Sequence, residues 1–566
     1  MSSYGYGDGG GGPTKEMLET QRRLAYGLPG MPVTETSSLL SHLDRKFVEF
    51  KEGCKKTKRT PKWVGELYLE MHRGTYTSIG KIKRDNRKAE LGLQKAETIS
   101  YIDLLNGGNY DAEGIHNRWI TVLHNQFHDI IPGSSIKEVY EGTDKDYKEI
   151  QNYLTDTVNS KLCNFANAMN TEGGTLVYNP SGFARKGAYS LNGKTAELAE
   201  EIPALGWKVV KNTLTETDVK INGLTAENKF YKLTIDKSGR ITELFDKINC
   251  RKVFKENEFG NELQIFEDFP RDYDNWEITD FYKQKMWLLD GEAEITSITD
   301  GSRAGFKVVH KYFSSEIAQN IWLYSENARI DFETEIDWHE QHQLIKVAFP
   351  VDVHTNSAIY ETQFGHIERA SHSNTSWDEA KFEVCGHKWA VVAENNYGLA
   401  LLNDCKYGHN AEGSTLKLTL LKCGTYPDEV ADQGKHLITY SIMPFSGDFR
   451  EAGVIAEAYA LNQPLSAVEI KANNGKLADS FSLVSCDKEN IIVETAKKAE
   501  DDNSLIVRMY DSFDRRTTAT ITVAEGFKKA YLCNMMETEI EELEFTDNKV
   551  TLPVSNFEIV TLKFTE

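Results

Sequence analysis

The residues of this chain best suited to chemistry are an adjacent histidine and aspartate, His128 and Asp129. They lie in the stretch W-I-T-V-L-H-N-Q-F-H-D-I-I-P-G, Trp119 to Gly133. An imidazole beside a carboxylate at a helix terminus can ligate a metal or move a proton. Ile115, Trp119, Val122, Gln126 and Ile130 recur at helical spacing, and Pro132-Gly133 closes the run. The pattern predicts an amphipathic helix with the pair at its end and with His124, four residues earlier, on the same face as His128. An exposed histidine next to a solvated aspartate would be spelled the same way, so the surrounding chain has to decide.

Two other places carry suitable groups. In E-T-Q-F-G-H-I-E-R (Glu361 to Arg369) followed by N-T-S-W-D (Asn374 to Asp378), an aromatic ring stands among carboxylates and histidines. Trp377 and Asp378 there suit sugar binding, in which a ring stacks and polar groups hold hydroxyls; the plain alternative is a structured loop packed on the helices. Asp8 sits in Y-G-Y-G-D-G-G-G-G-P-T, Tyr4 to Thr14. Glycine admits positive φ and close backbone approach, so this segment reads either as the rim of a site or as a flexible linker. No Gly-Lys-Ser/Thr follows it, so it is not a phosphate loop.

The elements that must position these groups follow from periodicity. Pro13 and Thr14 lead into a short helix, and the basic run Lys51 to Lys62 reads as a solvated loop. Ala89, Leu93, Ala96, Ile99, Ile102 and Leu105 form one helical stripe ended by Asn106-Gly107-Gly108. After the helix carrying His124, Ser135 and Glu138 have capping-box spacing for a third helix, whose stripe runs from Ile136 through Tyr147 and Leu154 to Phe165. Three helices with short connections predict an antiparallel bundle. From Thr171 onward the texture is alternating strands and turns. Tyr231, Leu233 and Ile235 precede the turn Asp236 to Arg240, and Leu416, Leu418 and Leu420, then Val560, Leu562 and Phe564, alternate likewise. The predicted class is therefore α+β and multidomain, with large β-sandwich domains after the bundle.

Composition limits the partners. The chain has 566 residues and a net charge of −21, which disfavours nucleic acid and anionic membrane surfaces. No apolar run is long enough to span a membrane, and the start M-S-S-Y-G-Y-G-D-G-G has no signal-peptide pattern. Eight scattered cysteines without C-x-x-C fit neither a disulfide frame nor a thiolate zinc site. Together these predict a cytoplasmic protein; a homo-oligomer stays open.

The ordered motifs G-D-G-G-G-G-P-T, E-L-Y-L-E-M-H-R-G-T-Y-T, N-Q-F-H-D-I-I-P-G-S-S-I, V-Y-N-P, E-R-A-S-H-S-N-T-S-W-D and L-L-N-D-C-K-Y-G resemble glycoside hydrolase family 38, the α-mannosidases. The resemblance covers essentially the whole chain from Tyr4 and is closest to the bacterial and cytosolic type. It implies a retaining enzyme with a seven-stranded β/α barrel, a three-helix bundle and a C-terminal β region, acting on α-mannoside oligosaccharides. A catalytic zinc grips the sugar's 2- and 3-hydroxyls, an aspartate attacks the anomeric carbon, and a second carboxylic acid serves the leaving oxygen. On the matched positions, His128 is implied to bind zinc and Asp129 to hold sugar hydroxyls; His124, one helical turn earlier, is read as structural or as a support behind the zinc ligand. Asp8 is implied as the acid/base or a rim carboxylate. The implied domains are 1–65, the C-terminal edge of the catalytic barrel and a linker; 66–170, the bundle; and 171–566, a mutarotase-like supersandwich plus smaller β domains. The family's histidine-x-aspartate zinc ligands and nucleophile are expected ahead of Tyr4, where this sequence has Met1-Ser-Ser. The chain then reads as the C-terminal two-thirds of an α-mannosidase, with a separate barrel fragment as the expected partner. A non-catalytic carbohydrate-binding or scaffolding protein is the alternative.

Overall fold

The structure, a computed structural model, describes residues 4–6, 11–24, 26–27, 39–67 and 71–566. The chain divides into two units, residues 1–68 and 69–566. Within the described part of the first unit there are two helices, α1 (Lys15–Leu24) and α2 (Leu39–Thr57), and no strand. The basic run expected as a loop is helical as far as Thr57, its charge solvated along α2. Salt bridges one turn apart, such as Lys46 to Glu49 and Lys55 to Glu52, are available to it only as a helix.

The second unit begins with a 3-10 turn, Arg73–Tyr76, and three helices: α3 (Gly80–Leu105), α4 (Ala112–Asn125) and α5 (Lys137–Ala168). The α3 stripe expected from spacing is the buried face: Ala89, Leu93, Ala96, Ile99 and Ile102 are wholly excluded from solvent. Helix directions follow from cross-links. Tyr147 of α5 donates to Asn86 near the start of α3 (3.2 Å), and Lys161 of α5 meets Asp103 near its end (2.7 Å), so α3 and α5 run the same way. Asn125 bonds to Asp146 (3.1 Å) while Asp111 accepts from Tyr153 (2.9 Å), so α4 runs against both. The bundle is up-down-up. The capping box expected at Ser135 and Glu138 is not formed. Ile136 is the N-cap and has no side-chain cap, because the Ser135 amide is taken by the Tyr140 hydroxyl (2.8 Å).

The remainder is antiparallel β structure. A nine-stranded sheet runs from Glu294–Asp300 at one edge to Gly365–Ala370 at the other, and a six-stranded sheet from Met286–Leu288 to Val384–Cys385. Phe332 and Tyr440 of the larger sheet pack on Phe349 of the smaller (5.9 and 6.2 Å between centroids), which makes the pair a sandwich. Five strands, Ile491–Lys498 to Glu539–Leu543, and a three-stranded sheet (Val484–Cys486, Thr517–Val523, Lys549–Val554) form a second, C-terminal sandwich. Alternation decides faces as expected: Tyr231, Leu233 and Ile235 are buried and Lys232 is exposed. A helix not expected from the sequence, α7 (Val454–Asn462), is buried through Val454, Ile455, Ala458 and Tyr459, and a short one, α6 (Ser376–Glu379), precedes it.

The bundle is fused to both sandwiches. The ends of α3 and α5 (Ile102, Leu162, Phe165) share one core with Leu483, Val507 and Leu562 of the C-terminal sandwich. At its other end, the Arg73–Tyr76 turn locks onto the large sandwich. The Arg73 guanidinium donates to the Ala380 carbonyl (2.8 and 3.1 Å) over the Phe382 ring, and the Gly74 amide donates to the Trp276 carbonyl (2.9 Å). A side chain at Gly74 would meet Lys422 and the backbone of 276–277 at under 3 Å, so glycine is required for this approach. Among the described helices none is long and apolar enough to cross a membrane.

Candidate active-site turn

The segment that carries His128 is a turn. Asp111 caps α4 by accepting from the Gly114 amide (3.0 Å), and Ile115 and Val122 bury the expected face. The helix stops at Asn125 because its last polar side chains are claimed elsewhere. Asn125 is buried against Asp146, and Gln126 donates to Asn86 (3.0 Å) and Glu90 (2.7 Å) of α3. Residues 126–133 continue as tight turns, with amides of Phe127, Ile130 and Gly133 bonded to carbonyls three residues back. His124 and His128 therefore do not share a helical face, although both are exposed.

This turn is held from three directions. Lys83 of α3 donates to the Ile131 carbonyl (2.9 Å) and, at its base, to the Ser78 carbonyl. Tyr140 of α5 donates to the Ile130 carbonyl (3.3 Å). Asn275, in the segment joining the strands Glu262–Glu267 and Met286–Leu288 of the large sandwich, donates to the Gly133 carbonyl (3.2 Å). Gly133 has φ +88°, and a Cβ there would lie 2.2 Å from the Ser78 carbonyl oxygen. Burial pushes the Lys83 ammonium down to about 7.

What this scaffold presents is polar and open. The His128 side chain is 77% exposed and Asp129 50%, with His128 Nε2 3.5 Å from Asp129 Oδ2. The other oxygen, Asp129 Oδ1, accepts from the Ser134 hydroxyl (3.1 Å), which fixes the carboxylate's rotation. Phe127 is exposed and its ring lies 4.3 Å from the imidazole centroid. An imidazole nitrogen and a carboxylate oxygen are a zinc-type donor pair. Among the described residues no cluster of three or more His, Cys, Asp or Glu comes together to hold a metal, so His128 and Asp129 fit one corner of such a site.

The other candidates are separate from this turn. Asp8 lies outside the described residues. Trp377 is 67% exposed in α6. Asp378 completes a capping box at the start of α6, accepting from the Thr375 hydroxyl (2.8 Å) and amide (3.2 Å). The sequence reading missed the support of the turn, Lys83, Asn86 and Glu90. Their signal was there: polar residues interrupting the apolar stripe of α3, at spacings that face α4.

Comparison with known proteins fits this architecture. Three family models match: the alpha mannosidase middle domain over residues 70–165, the glycosyl hydrolases family 38 C-terminal domain over 226–430, and the family 38 C-terminal beta sandwich domain over 490–562. The bundle and the two sandwiches thus correspond to the middle and C-terminal domains of that family. It is 34% identical over 591 residues to human Alpha-mannosidase 2C1, covering 99% of this chain and 55% of that protein. It is 33% identical to Alpha-mannosidase G of Dictyostelium discoideum, covering 100% and 58% respectively. The crystal structure of an alpha-mannosidase from Enterococcus faecalis V583 superposes with a TM-score of 0.76 at 15% identity, over 98% of this chain and 74% of that one. The chain belongs to glycosyl hydrolase family 38, and it spans about half the length of the curated relatives it matches.

Proposed function

We propose that this chain is the middle and C-terminal part of a retaining, zinc-dependent α-mannosidase that removes terminal α-mannose from oligosaccharides in the cytoplasm. The observation that carries the reading is the His128–Asp129 pair, exposed on a turn that α3, α5 and a strand-linking segment all hold in place. Surface polar residues seldom receive that much support, and a site needs it, because catalytic groups must be held to within a fraction of an ångström. The relatives' names support the same reading.

In this reading His128 Nε2 holds the metal, which when bound supplies a Lewis acid that grips sugar hydroxyls. Asp129 accepts sugar O–H bonds through Oδ2, its rotation fixed by Ser134. Trp377 offers a stacking face, which Asp378 orients through the α6 cap. Asp8 serves as acid/base or rim carboxylate. A barrel segment supplies the nucleophile and the other metal ligands. Helix α2 offers it a docking surface: Leu40, Leu43, Phe47 and Phe50 recur at helical spacing and are all exposed.

The test is to express this chain with a family 38 barrel segment and to measure bound zinc and hydrolysis of aryl α-mannosides. His128→Ala should lose zinc and turnover together. Asp129→Asn should keep zinc and lose turnover, since the grip on hydroxyls strengthens as the ring approaches an oxocarbenium-like state. His124→Gln should change neither. Stoichiometric zinc in His128→Ala, or its loss in His124→Gln, would refute the assignment.

A further inference from the structure

A cleft of about 670 Å³ lies where α3, the α4–α5 turn, the large sandwich and the C-terminal sandwich meet. His128 and Asp129 do not line it. Its volume is that of a small-molecule site, and the groups on its walls define what it would hold.

The cations of the cleft are already committed. Arg87 donates to the Tyr407 hydroxyl (3.0 Å) and to Asn403 (2.9 Å). Lys388 pairs with Glu361 (2.7 Å), and Arg508 donates to Thr561 (3.2 Å) and the Met535 carbonyl (3.1 Å). Several acceptors have no such partner. The Glu494 carboxylate lines the cleft, half-buried, and makes no hydrogen bond or ion pair with a described residue; burial pushes it above the usual carboxylate range. Gln94 Oε1 is buried without a donor. The His387 ring meets Tyr407 edge-on (5.2 Å) and makes no hydrogen bond to a described residue. Burial, with Arg87 and Lys388 nearby, pushes its pKa down to about 3, so it is a neutral donor–acceptor. Trp119 and Tyr459 add aromatic surface.

The Glu494 carboxylate and the His387 imidazole line the cleft with hydrogen-bonding positions that no described protein group fills, so they would hold an occupant that brings several hydroxyls. An anion would face Glu494 and Glu90, and a cation would face Lys388, Arg87 and Arg508. We infer that this cleft is a second ligand site, for a neutral polyhydroxylated molecule of monosaccharide size, whose hydroxyls donate to Glu494 and pair with His387. The inference stands on the cleft alone and does not depend on the mannosidase reading. Because α3, the large sandwich and the C-terminal sandwich all contribute walls, an occupant would tie the three together.

The test is titration of the full chain with D-mannose and myo-inositol, followed by calorimetry and ligand-observed NMR, with putrescine and glucose 1-phosphate as charged counterparts. The neutral probes should bind saturably, with affinity about millimolar. Glu494→Gln and His387→Phe should each weaken binding about tenfold or more. Neither residue has a protein partner at the affected atoms, so both variants should unfold within a few degrees of the parent, and the second stands if the first fails to fold. Density for the probe should fill the cleft in a soaked crystal. Absence of saturable binding by either neutral probe, unchanged affinity in both variants, tighter binding of a charged probe, or a soaked cleft holding only water would each overturn the inference.

Discussion

At the scale of single residues, the turn that carries His128 and Asp129 depends on groups outside that pair. Gly133 is the sharpest case: its positive φ and the 2.2 Å approach to the Ser78 carbonyl leave no room for a side chain. Gly133→Ala should destabilise the chain by at least about 2 kcal/mol, seen as a lowered denaturation midpoint with an unchanged slope against denaturant. A second prediction concerns Lys83, whose folded-state pKa of about 7 lies well below that of a free lysine. The unfolded chain therefore binds more protons between about pH 7 and 10.5. Lys83 contributes stability that rises with pH across that window, and Lys83→Met should flatten that part of the stability profile.

At the scale of elements, the bundle contains a buried acid. Glu97 of α3 is 6% exposed and burial pushes it up to about 7, although Lys497 and the Trp119 indole pull the other way. Its pKa in the unfolded chain is near 4.5, so the folded state holds an extra proton between those values, and stability falls as pH rises through the window. Glu97→Gln keeps the shape and the acceptor for Trp119. It should match the parent near pH 4.5 and exceed it by roughly 2–3 kcal/mol above pH 7. Equal stability of the two proteins at pH 8 would show that Glu97 is not desolvated as the structure has it. The α3 stripe was legible in the sequence because the same residues repeat every three or four positions and all face one core. The end of α4 was not. Its hydrophobic spacing continues through Ile130, but side-chain bonds from Asn125 and Gln126 to other helices stop the coil at Asn125.

At the scale of the whole molecule, residues 69–566 form a unit of their own. A chain of residues 71–566 should fold and keep a melting temperature within a few degrees of the full chain's. Loss of cooperative unfolding would mean that the first unit is needed for the core. The full chain alone should not hydrolyse aryl α-mannosides at a useful rate, since among the described residues no third His, Cys, Asp or Glu joins the proposed pair His128 and Asp129, and a catalytic zinc takes about three protein ligands. Clear zinc-dependent turnover by the purified chain would contradict this.

The sequence by itself determined the α+β class, the three helical stripes, the strand alternation and, through its ordered motifs, the family. These are local or collinear properties: periodicity sets which face is buried, and motif order survives in a single string. The tertiary structure alone decided that His128 sits on a turn, that Asp378 is spent on a cap, and that α7 interrupts the β region. It alone also brought Glu494, Gln94 and His387, hundreds of residues apart, to one cleft. Those outcomes depend on which distant partner claims each polar group, and the chain's linear order does not encode that choice where a hydrogen bond competes with helical propensity.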